Sequence, residues 1–286
     1  MELLRALGAL AEEPGPAHEP LAALLHLPRA PDAAAFTDCF MFNLYPYASV
    51  YLGAEGKLGG AARDRVAGFF RALGAVPDTE PDHLTLLVTA YGQLRDVPAD
   101  GPAGHAAAAL LHEHLVPWLP LYLARVRALA PAPYPQWAQV LADVLLADAG
   151  GVADAVDPPL HLRDAPALPD PRAAGHDAFV DGLLSPVRAG VILTGRDLLR
   201  ASRELRLGLR VGERRFVLDA LLAQDAAATL RWLAGHTRTT GDAWAPWTEV
   251  APTTATWWST RADATLGLLH ELALEVDGVH PAEVGG

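Results

Sequence analysis

Asp78, Glu80, Asp82 and His83 place four ionisable side chains within six residues, directly ahead of an apolar stripe formed by Leu84, Leu87, Val88, Tyr91 and Leu94. Two carboxylates at a helix start, with Arg95 as a nearby positive charge, make a locally acidic surface suited to arginine. A guanidinium meets a carboxylate through a planar fork, and such charge-assisted bonds are stronger than neutral ones. The same residues also have a purely structural explanation. Acids in a first helical turn satisfy free N–H groups and complement the helix dipole, and Thr79 with Asp82 three residues later has capping-box spacing with Pro81 in the first turn. His83 lies off the apolar stripe and is a candidate donor to a peptide carbonyl or an ordinary half-exposed residue.

Other chemistries find weaker support. His105, His112, Glu113 and His114 invite a metal, but His112 and His114 point to different helix faces and no His-Glu-x-x-His pattern occurs, so no metal site is expected. No Gly-x-Ser-x-Gly elbow is present, and the single cysteine, Cys39, lies in the aromatic run 36–42, where a buried, inert thiol is expected. The glycines of Gly53-Ala-Glu-Gly56-Lys57-Leu-Gly59-Gly60 lack the Gly-Lys-Ser/Thr ending of a phosphate loop and read as a flexible connection. Neither catalysis nor a bound cofactor is expected.

The elements that must position these groups are helices. The chain has 286 residues, 51% hydrophobic and 20% charged, which fits a folded core and not a solvated tail. Apolar runs are interrupted by Arg, Asp, His or Pro well short of the ~20 residues needed to span a bilayer. The first ten residues carry Glu2 and Arg5 and do not read as a secretory signal. With one cysteine, the expectation is a cytoplasmic protein. The formal charge of -12 disfavours a general nucleic-acid binder.

Val66, Phe69, Phe70 and Leu73 share one helical face, with Gly74 at the cap. A long helical stretch from about Gly104 to Ala130 carries Pro117 and Pro120, predicting a break near Val116. Another helix runs from Tyr134 to Ala147. Residues 151–175 hold five prolines and no stripe and read as a linker. Beyond it, Thr194 and Asp197 open a helix to Leu207 with Gly208 as cap, and helices follow at 212–222 and 225–234. A Thr-, Pro- and Trp-rich loop is expected over 236–255, and a last helix from about Trp257 to Glu275. The expected architecture is therefore all-α, a helical bundle over 1–150, a Pro-rich linker over 151–175 and an accessory helical domain over 176–286.

Glu80-Pro81-Asp82-His83 resembles the E-P-D-H signature of the TorD/DmsD/NarJ-type chaperones, which help mature molybdenum-containing oxidoreductases exported by the twin-arginine pathway. Tyr47-Ala-Ser-Val50-Tyr51-Leu52 upstream, and His114-Leu-Val-Pro117-Trp118-Leu119 and Tyr134-Pro-Gln-Trp137 downstream, agree with that family in order and spacing. The resemblance covers about Phe36 to Ala149. It implies a TorD-like bundle and a non-enzymatic protein that binds the signal peptide and folding intermediate of a molybdenum-containing oxidoreductase, as monomer or homodimer. Glu80, Pro81, Asp82 and His83 would take the twin arginines, and Tyr47, Tyr51, Pro117 and Trp118 the apolar part of the peptide. Tyr47 and Tyr51, four apart, would share a helix face, although such pairs and a Trp in a helix bend are also ordinary core. A competing reading rests on residues 185–219, where eight arginines face four acids. With its helix-turn-helix-like layout, that segment could serve a nucleic-acid-binding regulator, or be the solvated face of a packed hairpin.

Overall fold

The structure, a computed structural model, describes residues 2–96, 101–151, 157–209 and 212–279. Among these residues it is all-α, with no strand and a single isolated antiparallel bridge between Tyr47 and His83. No helix is long and apolar enough to cross a membrane among the described residues.

The expected break in the long central stretch is present. A helix Pro102–Ala109 passes into a π-helical segment Leu110–Leu115, and a new helix, Leu119–Leu129, begins after Pro117. The extra residue per turn in a π segment rotates the side chains that follow it. Here it carries His114 into the interior, where its Nδ1 lies 3.1 Å from Nε2 of His161. His161 belongs to a short helix, Leu160–Arg163, within the proline-rich stretch. That segment is fastened to the first half by buried Leu162 and by Arg65, whose guanidinium contacts both the Leu160 carbonyl and Asp164. Residues 152–156 of the proline-rich stretch lie outside the described residues.

Burial lowers His114 to about 4, and burial with the neighbouring His114 and Arg65 lowers His161 to about 3. An unfolded histidine titrates near ~6.5, so between roughly pH 6.5 and 4 the unfolded chain binds the extra protons, and stability falls as pH falls. The expected loss is about 3 kcal/mol for each of the two histidines between pH 7 and pH 4. Urea unfolding across that range checks it, and a His161→Gln variant should flatten the profile. A profile already flat in the wild type contradicts the buried pair.

Several boundaries differ from the sequence reading. The helix after the acidic turn is Leu84–Arg95 with His83 as N-cap, so residues 79–82 precede it and do not form its first turn. The helix Gly195–Leu205 is opened by the expected Thr194/Asp197 capping box but closes on Arg206 in the left-handed conformation (φ 57°), ahead of Gly208. The expected 236–255 loop is largely helical: Ala226–Gly241, a 3₁₀ turn Asp242–Trp247, then Pro252–Val279. Threonines 237, 239 and 240 return their hydroxyls to carbonyls of their own helix, which removes the competition that usually takes threonine out of helices.

Two clusters of buried side chains hold the molecule. The larger runs from Leu4 through Trp118, Tyr134 and Trp137 to Trp244, Trp247 and Trp258. The smaller joins Phe179, Leu198, Leu218 and Leu230 to Leu269 and Leu272. The helix Pro252–Val279 contributes to both, with Trp258 in the first and Leu269 in the second. Close approach across these elements falls on Gly190 (φ 75°), where a Cβ would stand 2.5 Å from the Ala262 nitrogen, so no larger residue fits without displacing that helix.

Candidate functional site

The acidic turn is built by pairing two extended segments. The Ala48 N–H donates to the Asp82 carbonyl (3.0 Å) and the Leu84 N–H to the Pro46 carbonyl (2.8 Å), which sets Tyr47 opposite His83. Their rings meet edge to face at 4.8 Å. The Tyr47 hydroxyl donates to Oε2 of Glu80 at 2.7 Å and fixes the direction of that exposed carboxylate. Burial, followed by the bond to Glu80, raises the Tyr47 phenol, so it remains a donor at neutral pH.

His83 is half-buried, and burial lowers it in spite of Glu12, Glu80 and Asp82, which favour its charged form. Its Nδ1 accepts from the Thr85 N–H at 3.3 Å, which assigns the ring proton of the neutral form to Nε2. Glu12 comes to this place because the helix Glu2–Ala9 packs on Leu84–Arg95, locked by the Thr85 hydroxyl donating to the Gly8 carbonyl (2.8 Å). Arg95 does not neutralise the turn, since it pairs with Asp148 at 2.5 Å.

The other residues singled out from the sequence lie inside. Asp82 is 1% exposed, and its Oδ2 accepts from the Ser49 N–H at 2.9 Å, at the start of the helix Ala48–Leu52. Its carboxylate therefore caps a helix 33 residues upstream and holds the two segments together. Pro81 is buried beside it. Tyr47 precedes the Ala48–Leu52 helix in an extended conformation, so it does not share a helix face with Tyr51. Tyr51 is buried and stacks on Trp118 at 5.2 Å, and its hydroxyl donates to the Tyr45 carbonyl. Buried Trp118 donates Nε1–H to the His114 carbonyl, and buried Pro117 accepts at its carbonyl from Trp258. Tyr51, Pro117 and Trp118 are thus buried among core partners, while Tyr47, Glu80 and His83 reach the surface at the turn. Exposed apolar side chains close by in sequence are Leu73 and Val76, the latter 95% exposed and four residues before Glu80.

Asp82→Ala leaves the buried Ser49 N–H without an acceptor, at an expected cost of about 1–3 kcal/mol. Asp82→Asn, which keeps an acceptor oxygen, should cost less. Urea midpoints of the two variants check the order; equal losses contradict the capping role.

No group of three or more His, Cys, Asp or Glu residues placed to hold a metal occurs among the described residues. Cys39 is buried, and burial raises its thiol, as suits an inert side chain. In the arginine-rich 185–219 segment, Arg196 pairs with Asp38 at 2.6 Å, Arg215 with Asp177 and Asp181, and Arg200 lies over the ring of Trp232. These charges face protein partners.

Residues 8–124 match the family model described as the nitrate reductase delta subunit. The match begins before and ends ahead of the 36–149 stretch that carries the motifs, and it includes Tyr47, the Glu80–His83 turn and Trp118. The matched part is about two-fifths of the whole, and over it the chain is similar to the NarJ/TorD-type chaperone family. No curated protein and no solved structure matches the chain.

Proposed function

We propose that this chain, of the nitrate reductase delta subunit type over residues 8–124, is a cytoplasmic, non-catalytic chaperone that captures the twin-arginine signal peptide of a molybdenum-containing oxidoreductase. It would hold the client while its cofactor is inserted and before export. The observation that carries this reading is the Glu80 carboxylate, exposed yet aligned by the Tyr47 hydroxyl, with Glu12 and neutral His83 alongside.

In this reading Glu80 accepts the fork of one arginine, and Glu12 supplies the second negative charge. The Nε2–H of His83 donates to a peptide carbonyl, and the apolar part of the signal lies along Val76 and Leu73. Asp82 acts from behind by accepting the Ser49 N–H and holding the two paired segments together, with buried Pro81 beside it, while Tyr51, Pro117 and Trp118 belong to the interior and do not line the peptide site. One turn serves one peptide, so a monomer suffices, and a homodimer would offer two such turns.

Calorimetric titration with a synthetic twin-arginine signal peptide tests the proposal. Saturable binding is expected, weakened about tenfold or more when both arginines are replaced by lysine, because an ammonium is a point charge and cannot match the carboxylate with a planar fork. Equal affinity for the two peptides contradicts arginine recognition.

A further inference from the structure

A second site lies away from the acidic turn, in a cavity of about 720 Å³ between the 42–57 segment and the elements carrying Arg188 and Arg214. The volume is in the range of small-molecule sites. Its cations differ in how they are satisfied. Arg215, on the wall, is paired with Asp177 and Asp181. Half-buried Arg214 has no carboxylate within ion-pair distance among the described residues; its guanidinium donates through Nη1 to the Leu193 carbonyl at 2.7 Å. Arg188 likewise donates Nε–H to a carbonyl, that of Ala54, and has no ion pair among the described residues. Lys57, the one lysine of the chain, is exposed at the same cavity and also has no ion-pair partner there.

Removing a guanidinium from water without a counter-charge is costly, and burial lowers the affinity of Arg214 for its proton accordingly. In a chain of charge -12, three cations around one cavity with no ion-pair partner among the described residues are an arrangement that an anionic ligand would stabilise. Exposed Glu55 and Glu213 also line the cavity, so the site would disfavour a ligand of diffuse negative charge and favour one compact anionic group. Phe42, 70% exposed, and Tyr45, 36% exposed, add aromatic surface on the same wall.

We propose that this cavity binds a small organic anion, its phosphate or carboxylate held by Arg214, Arg188 and Lys57 and its apolar or planar part placed on Tyr45 and Phe42. None of these residues belongs to the acidic turn, so the site stands or falls independently of signal-peptide capture.

Calorimetric titration of the full chain with phenyl phosphate, phenylacetate, inorganic phosphate and benzylamine tests it. Saturable binding of phenyl phosphate or phenylacetate is expected, and the tighter of the two names the anionic group. Inorganic phosphate, lacking the ring, should bind about fivefold or more weakly than phenyl phosphate, and benzylamine should not bind. Arg214→Gln and Lys57→Gln should each weaken the better ligand by about five- to tenfold and leave the affinity for the twin-arginine peptide unchanged. Should Arg214→Gln not fold, exposed Lys57→Gln carries the test. Unchanged affinity in Lys57→Gln, binding of benzylamine as tight as that of phenyl phosphate, or binding of acidic peptides with none of the small anions would overturn the proposal.

Discussion

Replacing Asp197 by alanine should destabilise the protein by about 3–5 kcal/mol, the cost of leaving a buried arginine without its partner. Asp197 is 1% exposed and Arg125 is buried; a single nitrogen of the guanidinium, Nη2, reaches Oδ1 at 2.6 Å and Oδ2 at 2.5 Å. The same carboxylate accepts from the Thr194 N–H and hydroxyl, closing the capping box of the Gly195–Leu205 helix. Burial pushes the Asp197 carboxyl up, but Arg125 above all, with His236 and Thr194, outweighs burial and holds it below the ordinary value. A depressed carboxyl stabilises the fold fully above its unfolded pKa of ~3.9 and loses that contribution as pH falls through the folded value. The acid limb below pH ~4 should therefore be shallower in Asp197→Ala than in the wild type. Denaturant titrations at pH 7 and pH 3.5 report both effects. A loss under about 1 kcal/mol at pH 7 would show that the pair merely breaks even with its desolvation.

Trp258→Ala should cost a similar amount, about 3–5 kcal/mol, through lost burial and the cavity left behind. Trp258 is 1% exposed, packs on Trp244 and Trp257, and donates Nε1–H to the Pro117 carbonyl at 2.8 Å. That bond satisfies a carbonyl released where the helix breaks, so the substitution removes packing and a buried partner together. Trp258→Phe retains most of the volume and should recover part of the loss. Both measurements bear on how the C-terminal helices are coupled to the rest, since Arg125 and Pro117 lie in the first half and Asp197 and Trp258 in the second. If the halves unfold separately, the wild type shows two transitions and each variant shifts one of them; one cooperative transition, shifted as a whole in each variant, means that these contacts join them.

Features written in adjacent residues were readable from the sequence: the Thr194/Asp197 box, the break after Val116 and the helix from Tyr134, which the structure extends to Ala149. Features depending on partners far along the chain were not. Asp82 has the spacing of a first-turn acid, but the pairing of segments 46–48 and 82–84 turns its carboxylate to Ser49, and no local pattern announces that pairing. Glu12 reaches His83 only because two helices distant in sequence pack together. Tyr51 and Trp118 follow the family's aromatic pattern, yet aromatic spacing alone does not separate a groove from a core, and their stacking places them in the core. The left-handed Arg206 was hidden by Gly208, the more permissive residue two positions on.

The central claim, that Glu80, aligned by Tyr47, receives the fork of one arginine of the pair, is tested most directly by a double-mutant cycle. Wild type and Glu80→Gln would each be titrated with the twin-arginine peptide and with its twin-lysine counterpart. Glu80 is exposed and substitution should leave the melting temperature unchanged, so any loss of affinity reports on binding. The account predicts that Glu80→Gln weakens the arginine peptide by about tenfold and the lysine peptide much less, leaving a coupling between Glu80 and the guanidinium. Equal weakening of both peptides, or none of either, would contradict it.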